Sequence, residues 1–391
     1  MRAERLRAIG QRLAQTDHDV VALQEIWFAS QDWRYVQQAC EAKYPYSRFF
    51  LTGAFGSGLA ILSKHPIVEM QTHMYSLTGT PIYVQHGDWI AGKACGCATI
   101  KHPTLGLIDV WDTHFTAVGG QVGPETRRAN SVVEAFELAH RCRISAERGR
   151  HVVCMGDFNS LPDSVCIAIL HRYGGLYDAC LDVDQTQGAL LDSAITCDSP
   201  DNTWTKGKPL DELAVRHRGK RLDYVLYRGP NTAPDDWVCT RSRVVFKELI
   251  PDLEVSYSDH FGVEATLDVR PQGVQARTAS RESAVEILWD ALPILDHALR
   301  SAKAQQRSHY HVFWGSLVFA VALVAANACA SAWLRYGRSV APALVTCIPM
   351  VPTVWAGTTA LYSAVVWGEW HQRALRTAIA SFETAIAGLG E

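Results

Sequence analysis

Residues 151–164 read HVVCMGDFNSLPDS. The apolar run Val152-Val153-Cys154-Met155 has strand character and is expected to stop at Gly156. A carboxylate, Asp157, and a carboxamide, Asn159, follow two residues apart. On an extended segment, side chains at i and i+2 project to the same side. Both would then point off the carboxyl end of a buried strand, where open α/β sheets place their ligands. A carboxylate accepts hydrogen bonds or binds a hard cation, and an amide donates to an anionic oxygen, so the pair suits a metal-held phosphate. Gly-Asp-x-Asn also occurs in plain turns, and the stretch alone fits either use.

Outward from this strand the chain alternates helix and strand. Leu6, Ile9 and Leu13 recur at helical spacing across residues 2–15, and Val20 to Leu23 reads as a buried strand ending in Gln24-Glu25-Ile26-Trp27. A helix is expected over 31–42, and strands near 47–50, 59–63, 67–72, 94–100 and 107–115. Glu125 to Glu147 reads as a long helix leading into the opening strand, and another helix should follow Asp163. Residues 185–219 look loop-rich before strands return at 222–227 and 262–269. Mixed elements of this kind predict an α/β or α+β sandwich spanning residues 1–270.

Composition bounds the function. With 391 residues the chain can hold one large domain and an appendage. The net charge of −3 and the lack of any lysine-arginine run offer no nucleic-acid footprint in the sequence. Eleven cysteines occur without CxxC or Cys/His metal spacing, and no secretory signal is legible at Met1. Reduced, mostly buried thiols in a cytosol-facing domain are the expectation.

The carboxyl-terminal third differs. Residues 271–284 are polar and rich in Ser and Arg, a linker by composition. Val285, Leu288, Leu292, Leu295 and Leu299 then mark an amphipathic juxtamembrane helix over 285–311, with Pro293 as a kink. Val312 to Leu334 holds no charge and is long enough to cross a bilayer, which takes roughly 20 apolar residues. Arg335 and Arg338 interrupt it, and Ser339 to Gly368 is again uncharged, so 312–368 is expected to form a transmembrane helical hairpin, followed by a tail over 369–391. Arg300, Lys303, Arg307, Arg373 and Arg376 outside, against Arg335 and Arg338 in the turn, favour a cytosolic catalytic domain. The endoplasmic reticulum and the mitochondrial outer membrane both fit.

Further polar residues stand at strand ends: Glu25 after VVALQ, His114 in DVWDTHFTA, Asp223 in RLDYVLY, and Asp259 with His260 in YSDHFGVEATL. Each alone also serves as a local cap or pair. Their repetition at strand ends is what suggests one site.

LQEIW, GSGLAILSKHPI, DTHF, GDFNSLPDS, RLDYVL and YSDHFGV follow the order seen in the endonuclease/exonuclease/phosphatase superfamily, which the chain resembles. GDWIAGKACGCATI at 87–100, with the hairpin, resembles its neutral sphingomyelinase and inositol phosphosphingolipid phospholipase C branch. The resemblance implies a four-layer α/β sandwich, two packed β-sheets flanked by helices, acting as a phosphodiesterase that yields ceramide and a phosphorylated head group. It implies Glu25 as a ligand of Mg2+ and His260 as general base, with Asp259 as a carboxylate to orient it. Asp157 would orient the water, Asn159 would donate to the phosphate, and His114 would stabilise the transition state or assist the leaving oxygen. Asp223 would support this group. Gly92-Lys93 lacks the Walker A pattern, so no nucleotide is expected; Lys93 is expected to meet a head-group phosphate or an anionic phospholipid, and Trp89 the membrane interface.

The family opens with a strand bearing an Asn, in a pattern like LNxWG, ahead of the helix matched by residues 2–15. The sequence here opens inside that helix, so either an upstream start or a weakened metal site and an open sheet edge is expected. The same scaffold carries nucleases and inositol-phosphate phosphatases, and a catalytically impaired chain would remain a lipid-binding protein. The hairpin and the absence of basic runs weigh against a nuclease.

Overall fold

The computed structural model describes residues 1–81, 87–117, 125–187, 194–233, 236–269, 280–333 and 341–390. The strands are β1 (Val20–Leu23), β2 (Tyr46–Phe50), β3 (Leu59–Ser63), β4 (Ile67–Met74), β5 (Ala94–His102), β6 (Gly106–His114), β7 (His151–Asp157), β8 (Tyr177–Asp178), β9 (Asp223–Arg228), β10 (Trp237–Val245) and β11 (Gly262–Val269). The helices are α1 (Arg2–Ala14), α2 (Arg34–Cys40), α3 (Asp88–Ala91), α4 (Glu125–Glu147), α5 (Val165–Ala168), α6 (Ala179–Gln187), α7 (Glu212–His217), α8 (Arg281–Trp333), α9 (Ala341–Tyr362) and α10 (Gly368–Gly390). The chain divides into two compact units, Met1–Leu292 with Thr384–Glu391, and Pro293–Glu383.

In the first unit a six-stranded sheet runs β4-β5-β6-β7-β9-β8, and smaller sheets run β1-β3-β2 and β10-β11. Only β6–β7 is parallel among these pairs; the others are antiparallel. Period-two alternation explains the layers. Leu59 and Ile61 of β3 face a core shared with Ile100 of β5, Val110 of β6 and Tyr227 of β9. Ala60 and Leu62, one step out of phase, pack with Leu6 and Leu13 of α1 and Val36 of α2. Gly96 makes room between the sheets: a Cβ there would stand 2.5 Å from the Phe50 ring. On the far side α4 lies against β7. Two sheets pack face to face with helices outside, the expected α/β arrangement.

Several expectations need revision. The opening strand does not stop at Gly156 but runs through it to Asp157. Gly156 has a φ of 149°, and a Cβ would lie 2.0 Å from the Thr113 carbonyl oxygen, so only glycine lets β7 approach β6 there. The stretch read as loop contains the end of α6 and all of α7, the latter capped by Asp211, whose carboxylate accepts from the Ala214 N–H at 2.9 Å. β10 was not anticipated, because WVCTRSRVV alternates poorly in hydrophobicity; it pairs with β11, and only Trp237 and Cys239 near its start enter the core. The cysteines are free, and those of the first unit are buried except Cys180, which is partly so.

The second unit is helical. α8 continues from Arg281 to Trp333 through Pro293, so the amphipathic segment over 285–311 and the apolar stretch after it form one helix. Most of the linker expected at 271–284 lies outside the described residues, and its last residues already belong to α8. The Gln306 side-chain amide donates to the Ala364 carbonyl at 2.9 Å and accepts from Gln372 at 2.7 Å, a polar tie inside this unit. Among the described residues one helical stretch, Arg281–Ala330, is long and apolar enough to cross a membrane, and none of its apolar window is buried. In α9, Pro349 and Pro352 are accommodated within the helix, and Thr353 donates its hydroxyl to the Pro349 carbonyl at 2.7 Å.

Candidate active site

The register of three neighbouring strands builds the site. His114 is the last residue of β6, Asp157 the last of β7 and Asp223 the first of β9, and they stand opposite one another as His114↔Asp157↔Asp223. The loop before β11 adds His260, whose Nδ1 lies 2.9 Å from Asp223 Oδ2. Acidic and imidazole atoms of Asp157, Asp223 and His260 lie within 4.8 Å of one another.

Asn159 joins by a turn rather than by strand alternation. Its φ of 45° is left-handed, a conformation Asn tolerates, and its N–H donates to Asp157 Oδ1 at 2.8 Å. Its side-chain amide donates to Asp157 Oδ2 at 3.2 Å and to the Phe115 carbonyl at 3.1 Å. In this arrangement the amide holds Asp157 and pins the segment that leaves β6.

Lys93, expected to meet a head-group phosphate or an anionic phospholipid, is 3% exposed and donates to the same Phe115 carbonyl at 3.0 Å, with Asp88 at 3.6 Å. The GDWxxGK segment therefore folds its lysine inward against the strand ends, while Trp89 stays 43% exposed. Beneath it, Glu134 of α4 accepts from the Thr116 N–H at 2.9 Å and the Thr116 hydroxyl at 2.6 Å. Burial pushes the Glu134 carboxyl up to about 8 despite these bonds.

Asp259, expected to orient His260, is exposed and accepts from the Ser258 hydroxyl at 3.3 Å, and the carboxylate within hydrogen-bond distance of His260 Nδ1 is that of Asp223. Glu25 follows β1 with a φ of 60°, its carbonyl accepting from Arg2 at 2.9 Å. Its carboxylate is exposed, makes no hydrogen bond or ion pair among the described residues, and lies outside the Asp157–Asp223–His260 group.

Electrostatics divide the two histidines. Burial, then Lys93 and His260, hold His114 well below the usual imidazole range, so it is neutral, 3.5 Å from Asp157. Burial also pulls His260 down, but Asp223 outweighs it and, with Cys197 and Asp157, keeps His260 well above that range. Burial, then repulsion from Asp223, raises Asp157 to about 7, against opposing pulls from His260, the Asn159 N–H and Lys93. A site with one cationic and one neutral imidazole flanking two carboxylates can hold a proton, orient a water and meet an anionic ester. Sequence reading had no signal for Glu134 or Thr196, which lie in no motif, and passed over Thr116, two residues after His114 in DVWDTHFTA.

A fold of packed mixed sheets with acid–imidazole groups at the strand ends defines a class, and comparison identifies it. Residues 2–260 match the Endonuclease/Exonuclease/phosphatase family, and the chain belongs to that family, as an enzyme of the phosphoric diester hydrolase class. It is 31% identical to the inositol phosphosphingolipids phospholipase C of Schizosaccharomyces pombe over 98% of this chain and 89% of that protein. It is 30% identical to human sphingomyelin phosphodiesterase 2, over 73% of this chain and 64% of that protein. Among solved structures, beta toxin from Staphylococcus aureus shares the fold, with a TM-score of 0.52 and 19% identity over 68% of this chain and 92% of that one.

Proposed function

We propose that the chain is a membrane-anchored, Mg2+-dependent phospholipase C-type phosphodiesterase that cleaves sphingomyelin or inositol phosphosphingolipids to ceramide and a phosphorylated head group. The observation that carries the chemistry is the convergence of Asp157, Asp223 and His260 within 4.8 Å, beside neutral His114. The names of the relatives supply the substrate class.

In this reading His260, once neutral, takes a proton from water while Asp223 holds its Nδ1–H and thereby its tautomer. Asp157 orients that water. The new P–O bond forms as the bond from phosphorus to the ceramide oxygen breaks, and the leaving oxygen collects a proton from the site. His114 stands where it can donate to the phosphoryl group, and buried Lys93 adds positive charge at the same strand ends. The residues suit a hard divalent cation: Glu25 offers an exposed carboxylate without a hydrogen bond or ion pair among the described residues, and the mutual repulsion of Asp157 and Asp223 would be relieved by one nearby. When bound, Mg2+ offsets charge developing on the phosphoryl oxygens.

Membrane anchoring rests on residues 285–368: the long helix as juxtamembrane segment and first span, and the uncharged stretch after Arg338 as the second, with residues 1–270 as the cytosolic catalytic domain and 369–391 as the tail. Exposed Trp89 of α3, with Phe55 and Leu51 on the loop after β2, which the Ala54 and Phe55 N–H groups join to α3 by donating to the Ile90 carbonyl, suit contact with lipid at the interface. No nucleic acid is involved in this reading.

The test is product analysis. Detergent-solubilised protein given sphingomyelin or inositol phosphosphingolipid with Mg2+ should release ceramide, and chelation should abolish release. Absence of ceramide from both lipids overturns the reading, and free phosphate from inositol phosphates would point to a phosphatase instead.

A further inference from the structure

Thr196 lies in the stretch without motifs, yet it is 1% exposed and its polar atoms all reach the segments that carry Asp223 and His260. Its N–H donates to the Lys220 carbonyl at 2.9 Å, and its carbonyl accepts from the Phe261 N–H at 2.8 Å. Its hydroxyl oxygen accepts from the N–H groups of Leu222 at 3.1 Å and Asp223 at 3.3 Å. The next residue, Cys197, bridges Lys220 on one side and His260 on the other.

The need for this residue follows from the sheet. β8 pairs with β9 only at Tyr177↔Tyr227 and Asp178↔Leu226, so it stops short of Leu222 and Asp223. Two backbone donors at the head of β9 thus lack a strand partner on that side, and buried donors left unpaired are costly. A hydroxyl with two lone pairs takes both. We propose that Thr196 is a positioning residue of the hydrolytic site: its hydroxyl fixes the Asp223 backbone and its main chain fixes the His260 loop, so that Asp223 Oδ2 stays within hydrogen-bond reach of His260 Nδ1. This rests on the reading of Asp223 and His260 as the base pair of a phosphodiesterase. Removing the hydroxyl frees the start of β9 to shift, and small misplacements at a reacting centre cost about 100-fold in rate.

The experiment compares Thr196→Val, Thr196→Ala and Thr196→Ser in the full chain, using sphingomyelin and the chromogenic diester bis(4-nitrophenyl) phosphate. Val and Ala should lower kcat about 10- to 100-fold with KM changed less than about twofold, and Ser should restore kcat. In an Asp223→Asn background the same Thr196→Val change should cost little more, because the loss acts through Asp223. The low-field proton resonance of the His260 Nδ1–H should be present in the parent and in Ser, and lost in Val, Ala and Asp223→Asn. That last readout requires no turnover, so failure of the sphingolipid reading leaves it decisive. Folded Val or Ala variants that keep kcat and the resonance would overturn the proposal, as would a full-sized Thr196→Val loss in the Asp223→Asn background. If Val unfolds, Ala carries the test, since it removes the hydroxyl without adding a methyl to the site.

Discussion

Asp223 Oδ2 sits 2.9 Å from His260 Nδ1, although 37 residues separate them, while Asp259, adjacent to His260 in the chain, accepts from the Ser258 hydroxyl instead. The two carboxylates should therefore respond differently to the same change. Asp223→Asn should lower kcat by about 100- to 10,000-fold, the range seen when a carboxylate that orients a catalytic imidazole is neutralised. Asp259→Asn should stay within about twofold. Steady-state hydrolysis of sphingomyelin by both variants checks this, and an equal loss in both would reject the assignment.

The Asp223–His260 pair also sets a pH dependence. Since the partner carboxylate keeps His260 above its ordinary value of 6.5, the base becomes available only as pH rises through that elevated value. The rising limb of kcat/KM should thus be centred above 6.5, and Asp223→Asn should move it to lower pH while lowering its ceiling. The sign for stability is the reverse: a raised imidazole pKa contributes stability below the unfolded value and loses it as pH rises through the folded one. A pH–rate profile from about 5 to 9 brackets the ordinary imidazole range on both sides.

Lys93 is buried, and its predicted effect separates site chemistry from lipid attraction. Lys93→Gln removes the charge beside Phe115, Asp88 and His114. Turnover should fall by about 10-fold or more, by a similar factor with neutral and with anionic vesicles. A loss confined to anionic vesicles would return Lys93 to the membrane surface.

Glu134 links stability to pH in the opposite sense from a salt-bridged acid. Burial raises its carboxyl to about 8 in the folded chain, from an ordinary value of 4.5. Between those values the unfolded chain loses a proton that the folded chain keeps, so stability falls as pH rises through this window. Each pH unit of that gap is worth about 1.4 kcal/mol, for a total on the order of a few kcal/mol. Glu134→Gln keeps a partner for the Thr116 N–H and hydroxyl and should flatten the dependence. Thermal unfolding of both proteins at pH 5 to 8 measures it, and parallel curves would contradict the buried, proton-holding role.

Elements with strong periodicity were legible from residues alone. VVAL, LAILS and the VVCM run at 152–155 read as strands because runs of branched and apolar side chains suit a buried pleat, and α4 read as a helix by its length. β10 and the short strand β8 were hidden because their stability comes from partners distant in the chain. The turn at Asn159 was one of two readings open for Gly-Asp-x-Asn, and the fold realises it with a left-handed φ while keeping Asn159 on Asp157.

The site divides along the same line. Residue order identifies which polar groups end strands, because a hydrophobic run must stop where the chain leaves the core, and so His114, Asp157, Asp223 and His260 stand out. It does not say which of them touch. Strand order β6-β7-β9 places His114, Asp157 and Asp223 side by side, turns His260 toward Asp223 rather than Asp259, and folds Lys93 inward. Those pairings depend on register between strands tens of residues apart, which is set by packing of the whole sheet and not by any local stretch.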